Sequence, residues 1–144
     1  MEEAIEVLAQ GREAVLSTLE GEQPFTSAVG YLYEMPNPAS RFGKIFILMS
    51  GLARHTKNVR RHSLASLMVI EAGETPLYEK RRVAVQGELE EMWDKIRFEI
   101  YKKNYLQLYP TAQIFFTLPD FRFFEMEIKE LYYIGGFGKI QSFR

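Results

Sequence analysis

The residues best suited to chemistry lie in one run, Ile45-Phe46-Ile47-Leu48-Met49-Ser50-Gly51-Leu52-Ala53-Arg54-His55-Thr56-Lys57-Asn58. An apolar strand delivers a Ser-Gly break, and a helix begins. Free backbone N–H groups and the positive end of the helix dipole make an anion site at such a start. Gly51 lets the backbone come close and Ser50 offers a hydroxyl donor. Arg54 can grip a phosphate through two parallel hydrogen bonds, and Lys57 adds a second cation. The same run also reads as a capped helix with a solvated basic face of Arg54, Lys57, Arg60 and Arg61. The residues alone leave both readings open.

Other groups carry less chemistry. His55 is a candidate general acid or haem ligand, or simply a hydrogen-bonded structural residue. His62 follows Arg60-Arg61 at a helix end, where it complements the dipole. Two histidines and no cysteine exclude thiolate metal centres, disulfides and cysteine nucleophiles, and no metal site is expected. Gly135-Gly136-Phe137-Gly138 matches neither a P-loop nor a dinucleotide fingerprint and reads as a flexible turn. Glu88 with Glu90, and Glu125 with Glu127, alternate on strands and read as solvated edges, not as an acid pair.

These residues need elements to hold them. Residues 2–10 read as a short amphipathic helix stopped at Gly11. Residues 14–19 and 25–33 read as the two arms of a hairpin around the turn Glu20-Gly21-Glu22-Gln23-Pro24. Two prolines make 35–40 a loop. The apolar run 44–49 is a buried strand, 52–61 a helix and 65–71 a strand. Residues 82–89 alternate with period two, and Gly87 marks a bulge or the close approach of another backbone. Residues 93–105 have helical spacing, ended by Pro110. Residues 123–128 and 131–134 read as the last two strands. The expectation is a mainly β protein with short flanking helices, six or seven strands in all. A regular βαβ alternation is missing, so an antiparallel barrel fits better than a doubly wound sheet.

Composition narrows the classes. A chain of 144 residues argues for one domain over 1–144 and is long enough to bury a core without metal or disulfide. Eighteen basic against nineteen acidic residues leave a net charge of −1, so no global field favours nucleic acid or an acidic membrane. No apolar stretch reaches the ~18 residues of a membrane span, and the acidic start Met1-Glu2-Glu3 is unlike a signal peptide. A cytoplasmic protein is the expectation. Aromatics make up 14% and crowd the last third, which points to a β-barrel core and a dimer interface.

The order Ser50-Gly51-Leu52-Ala53-x-His55-Thr56-x-Asn58, then Ser66-Leu67, then Val85-x-Gly87-Glu88 resembles the pyridoxamine 5′-phosphate oxidase-like superfamily. Tyr105-Leu106, Tyr109-Pro110-x-Ala112, Asp120-Phe121 and Gly135-Gly136-Phe137-Gly138 are similar to its haem-utilisation (HugZ-like) branch. Together these motifs run from Val15 to Gly138. The resemblance implies an FMN-binding split β-barrel of antiparallel Greek-key type. It implies a homodimer with a cofactor in each of two interface clefts. By position it assigns Arg54, with His55 and Lys57, to the flavin phosphate, and Met49 and Ser50 to the strand end lining the flavin. Arg82 takes the place of a flavin-contacting glutamine, and Ser17 and Thr18 lie on a cofactor-lining strand. Two cations of the oxidase pattern are replaced by Glu13 and Thr18, and the C-terminal Trp and Arg motif is absent. True pyridoxamine phosphate oxidase activity is therefore not expected.

Three functions follow from the resemblance. One is a flavin-dependent oxidoreductase with FMN, or a related deazaflavin. Another is haem binding or breakdown. The third is a non-catalytic flavin-binding module. A small-molecule ligand is common to all three, and nucleic acid and membrane are not expected as partners.

Overall fold

The computed structural model describes residues 1–144. A helix α1 (Glu2–Gln10) precedes a hairpin of β1 (Glu13–Glu20) and β2 (Gln23–Gly30). Short β3 (Leu32–Glu34) and β4 (Lys44–Ser50) follow, then α2 (Arg54–Arg61) and β5 (Leu64–Ile70). The second half holds a 3₁₀ turn at Leu77–Glu79, β6 (Arg81–Glu91), α3 (Lys95–Leu108), a 3₁₀ segment at Pro110–Thr117, β7 (Phe121–Gly135) and β8 (Ile140–Phe143). All pairings are antiparallel, in the order β2-β1-β5-β6-β7-β4-β3, with β8 also on β7. The sheet curls into a split barrel.

Eight strands form where six or seven were expected: β8 (Ile140–Phe143) is a strand the sequence reading did not place, while one expected strand divides and two others merge. The run 25–33 is two strands: the chain leaves β1 at Gly30 and joins β4 at Leu32. Tyr31 makes the corner, with its N–H donating to Arg12 O at 3.2 Å and to the Tyr109 hydroxyl at 3.1 Å. The strands expected at 123–128 and 131–134 are instead one. β7 pairs with β6 from Phe124 to Gly135, with β4 along its first half and with β8 along its second.

The join lies at Gly87. Gln86 faces Glu130 and Gly87 faces Ile128, so Lys129 is the extra residue of a bulge. Phe124, Met126 and Ile128 point inward before it, and Leu131 and Tyr133 after it. The bulge thus reverses the parity of the apolar pattern without breaking the strand, which is why the pattern reads as two. A Cβ on Gly87 would lie 2.1 Å from Glu127 O, so the two backbones meet there. Both features the sequence ascribed to Gly87 are present.

β4 is buried on both faces, as its continuous apolar run implies. Ile45, Ile47 and Met49 join Leu16, Leu67, Val83, Val85 and Phe124 inside the barrel. Phe46 packs on the other side with Leu32, Tyr105 and Phe123 beneath α3. Each fully buried side chain of this size contributes about 2 kcal/mol. Asp94 starts α3 by accepting from the N–H groups of Ile96 (2.9 Å) and Arg97 (3.2 Å). No helix is long and apolar enough to cross a membrane.

Candidate functional site

α2 lies across the inner face of the β1–β2 hairpin, and three contacts fix it there. Asn58 Nδ2 donates to Thr18 Oγ1 at 3.1 Å, with both residues buried. His55 Nδ1 lies 3.1 Å from Ser27 Oγ. The Arg54 guanidinium stands 4.3 Å from the centroid of the Phe25 ring. Burial holds the His55 imidazole below its ordinary pKa, so it is neutral at pH 7.

Arg54 is already engaged. Its Nε donates to Glu20 Oε2 at 3.0 Å and its Nη2 to Oε1 at 2.6 Å. The hydrogen bond from Arg54 holds the Glu20 carboxyl below the usual carboxylate range, with Arg61 and Asn58 adding to the effect. Lys57 and Arg61 follow Arg54 at helical spacings of three and seven, so the three cations share a face. Neither Lys57 nor Arg61 has an ion-pair partner. Arg60, grouped with them by sequence, turns away to make a two-pronged pair with Glu91 at 2.9 and 3.0 Å.

The Ser50–Gly51 corner does not present the free donors that its sequence suggests. Ser50 Oγ donates to Asp120 Oδ2 at 2.6 Å and accepts from Leu52 N–H at 3.1 Å. Gly51 N–H donates to Asp120 O at 2.7 Å, and Ala53 N–H to Ser50 O at 3.2 Å. Asp120 therefore fills the place proposed for an anion. Met49 points into the barrel core and is 1% exposed. Thr18 also points inward, where its hydroxyl serves Asn58. Strand alternation decides both orientations, and position along the sequence does not reveal it.

The outer face of the sheet carries the rest of the expected set. Ser17 pairs with Ser66 on β5, Ser66 with Gln86 on β6, and Gln86 with Glu130 on β7, so one polar row crosses four strands. Ser17, Ser66 and Gln86, with Lys129 at the bulge, line a shallow cavity of about 430 Å³. Arg82 lies on the same face, about 13 Å along β6 from Gln86. Its Nε is buried without a hydrogen-bond partner. Neighbouring Arg81 is saturated by Glu71 and Glu6. Beside the polar row runs an apolar one: Val15, Met68, Ala84 and Tyr132.

Sequence reasoning placed Arg54, His55 and Lys57 together, and the structure does so. It separates them from Ser17 and Arg82, which lie across the sheet. Glu20, Ser66, Gln86 and Lys129 went unrecognised as site neighbours, because only strand register brings them there.

Comparison with known proteins places this architecture. The sequence profile of the CREG β-barrel family matches residues 2–143. The chain belongs to that family. No curated protein sequence matches it. Among solved structures, a heme binding protein from Mycobacterium smegmatis superposes with a TM-score of 0.85 at 22% identity, covering 99% of this chain and 56% of that one. ChuZ from Campylobacter jejuni gives 0.83 at 15% identity, with coverages of 99% and 58%. An FAD-binding protein from Mesorhizobium loti gives 0.70 at 18% identity, with 90% of both chains covered. The CREG β-barrel chain thus spans little more than half the length of the first two. These likenesses establish the split-barrel fold and agree with the superfamily resemblance carried by the motifs.

Proposed function

We propose that this CREG β-barrel protein binds FMN as a homodimer, with one cofactor at each of two interface clefts, and serves as a flavin-dependent oxidoreductase. The observation that carries the reading is the charged face of α2. Arg54, Lys57 and Arg61 converge there, and two of the three have no counter-charge. A dianionic phosphate suits such a face. The flavin ring needs donors as well, and the buried, unpartnered Nε of Arg82 fits that requirement. Arg82 and α2 lie on opposite faces of one sheet. A two-fold dimer joined through the apolar outer row would place the Arg82 side chains of both subunits at the seam. The similar FAD-binding structure supports a flavin in this fold.

Bound flavin supplies the redox chemistry, and the protein binds, orients and shields it. Arg54, Lys57 and Arg61 neutralise the phosphate. Arg82 donates to the ring, and neutral His55, anchored on Ser27, adds no charge beside it. A small-molecule ligand in a cytoplasmic setting completes the reading.

The test is an absorption spectrum of the purified protein before and after adding FMN and desalting, with its size measured by gel filtration. Flavin bands that co-elute with a dimer support the reading. A colourless protein that retains no FMN overturns it. Retained FMN that no common reductant reduces leaves a non-catalytic flavin module.

A second reading, haem binding, draws on His55 itself. Its Nδ1 is held by Ser27, which fixes the ring and leaves Nε2 free, the arrangement of a ligating histidine. The similar heme binding protein supports it. A Soret shift on adding haemin, lost in His55→Ala, would establish that reading; no shift removes it.

A further inference from the structure

Helix α3 is apolar on two sides. Phe98, Tyr101, Tyr105 and Leu108 pack down over the barrel with Phe46 and Phe123. Away from that contact, Ile96 and Ile100 lie one helical turn apart and are 76% and 53% exposed. Trp93, just before the Asp94 cap, is 69% exposed. A helix that is apolar on both sides is ordinarily covered on both, and a group of large exposed apolar side chains marks an interaction surface.

The surroundings of this face are cationic. Lys103 continues it, three residues after Ile100, and Lys95 and Lys102 flank it. None of the three lysines has an ion-pair partner. Glu99 is the one carboxylate of α3. The Arg122 guanidinium lies 5.0 Å from the centroid of the Trp93 ring. A whole-chain net charge of −1 predicts no attraction to an acidic surface, but residues 93–118 hold four basic and two acidic side chains. This segment is therefore opposite in sign to the chain as a whole.

We propose that the Trp93–Ile96–Ile100 face docks on an anionic lipid bilayer, with α3 lying flat at the headgroup boundary. The face is the convex surface of a helix, which suits a plane. Lysine stems lie along apolar surface while their ammonium groups reach anionic headgroups, and a tryptophan ring settles at the same boundary. No helix of the chain is long and apolar enough to cross a membrane, so the attachment is superficial. The inference stands apart from the flavin reading, since it uses none of the same residues.

Trp93 is the single tryptophan of the chain, so its emission reports on this face alone. The whole chain is titrated with vesicles of phosphatidylcholine and with vesicles that also contain phosphatidylserine. With the anionic vesicles, emission should move to shorter wavelength and be quenched by brominated lipid tails. Binding should weaken as salt rises. Lys103→Gln should lower anionic partitioning about fivefold, the scale of one basic residue at such a surface. Ile96→Ser combined with Ile100→Ser should abolish it. Both positions are exposed, so the double variant should fold, and circular dichroism checks that. Unshifted emission with anionic vesicles overturns the inference. Vesicle binding that survives the double substitution also overturns it, by placing the contact elsewhere. So does a shift that follows protein concentration without lipid, which would show that a second copy covers the face.

Discussion

The Asn58 Nδ2 of α2 donates to the Thr18 Oγ1 of β1 across 3.1 Å, and neither residue is more than 3% exposed. This bond pins the cationic helix to the hairpin it overlies. Thr18→Val keeps the shape but leaves the Asn58 amide buried without its acceptor. It should cost about 2 kcal/mol, read from the urea midpoint at constant m-value. Thr18→Ser retains the hydroxyl and should recover most of that loss. Equal stability of Thr18→Val and wild type would mean that Asn58 finds another partner.

Gly87 fixes the bulge at which β7 changes parity. Its added Cβ would meet Glu127 O at 2.1 Å, which is backbone and has little freedom to yield. Gly87→Ala should therefore destabilise the protein by about 2–3 kcal/mol, in the range of overpacked sites. A lowered melting temperature with faster amide exchange in residues 126–130 is the expected signature. Unchanged exchange there would show that the strands separate without strain.

Stability should depend on pH in two separate limbs. The His55 imidazole is depressed by burial, so around its unfolded pKa of ~6.5 the unfolded chain binds more protons. Its contribution is present above that pH and is lost as pH falls through it. The Glu20, Glu71 and Glu127 carboxyls are also lowered, by hydrogen bonds from Arg54, Arg81 and Lys129. Their contribution is lost only as pH falls below the ordinary carboxylate range near ~4.3. Urea unfolding between pH 7.5 and 5 should show a decline that His55→Gln flattens. The same slope in both proteins would assign the upper limb elsewhere.

The outer row Val15–Met68–Ala84–Tyr132 is the surface through which we expect the dimer to form. Ala84→Arg places a long charged group at its centre without touching the core. Gel filtration or light scattering should show a monomer, and FMN retention should fall with the dimer, because in the proposed assembly each cleft needs both subunits. A dimer that survives Ala84→Arg would move the interface off this face.

Much of this protein is fixed by local pattern. The apolar run Ile45–Met49 dictates a strand buried on both faces, and it is one. The polar break after it starts a helix, and Arg54, His55 and Lys57 stay together because three residues of one helix turn cannot separate. Gly87 announced its own close contact, since only a missing Cβ permits that approach. What local pattern cannot carry is partnership between distant strands. The parity reversal at Lys129 made one strand read as two. Register alone brings Ser17, Ser66 and Gln86 into one row. Strand alternation turns Met49 and Thr18 inward and Ser17 outward. The anion-like corner at Ser50 is filled by Asp120, seventy positions away in sequence, and Arg54 is paired with Glu20 from a hairpin tip. Charge complementarity across such gaps is settled only when the sheet closes, because folding sets those distances and the sequence does not.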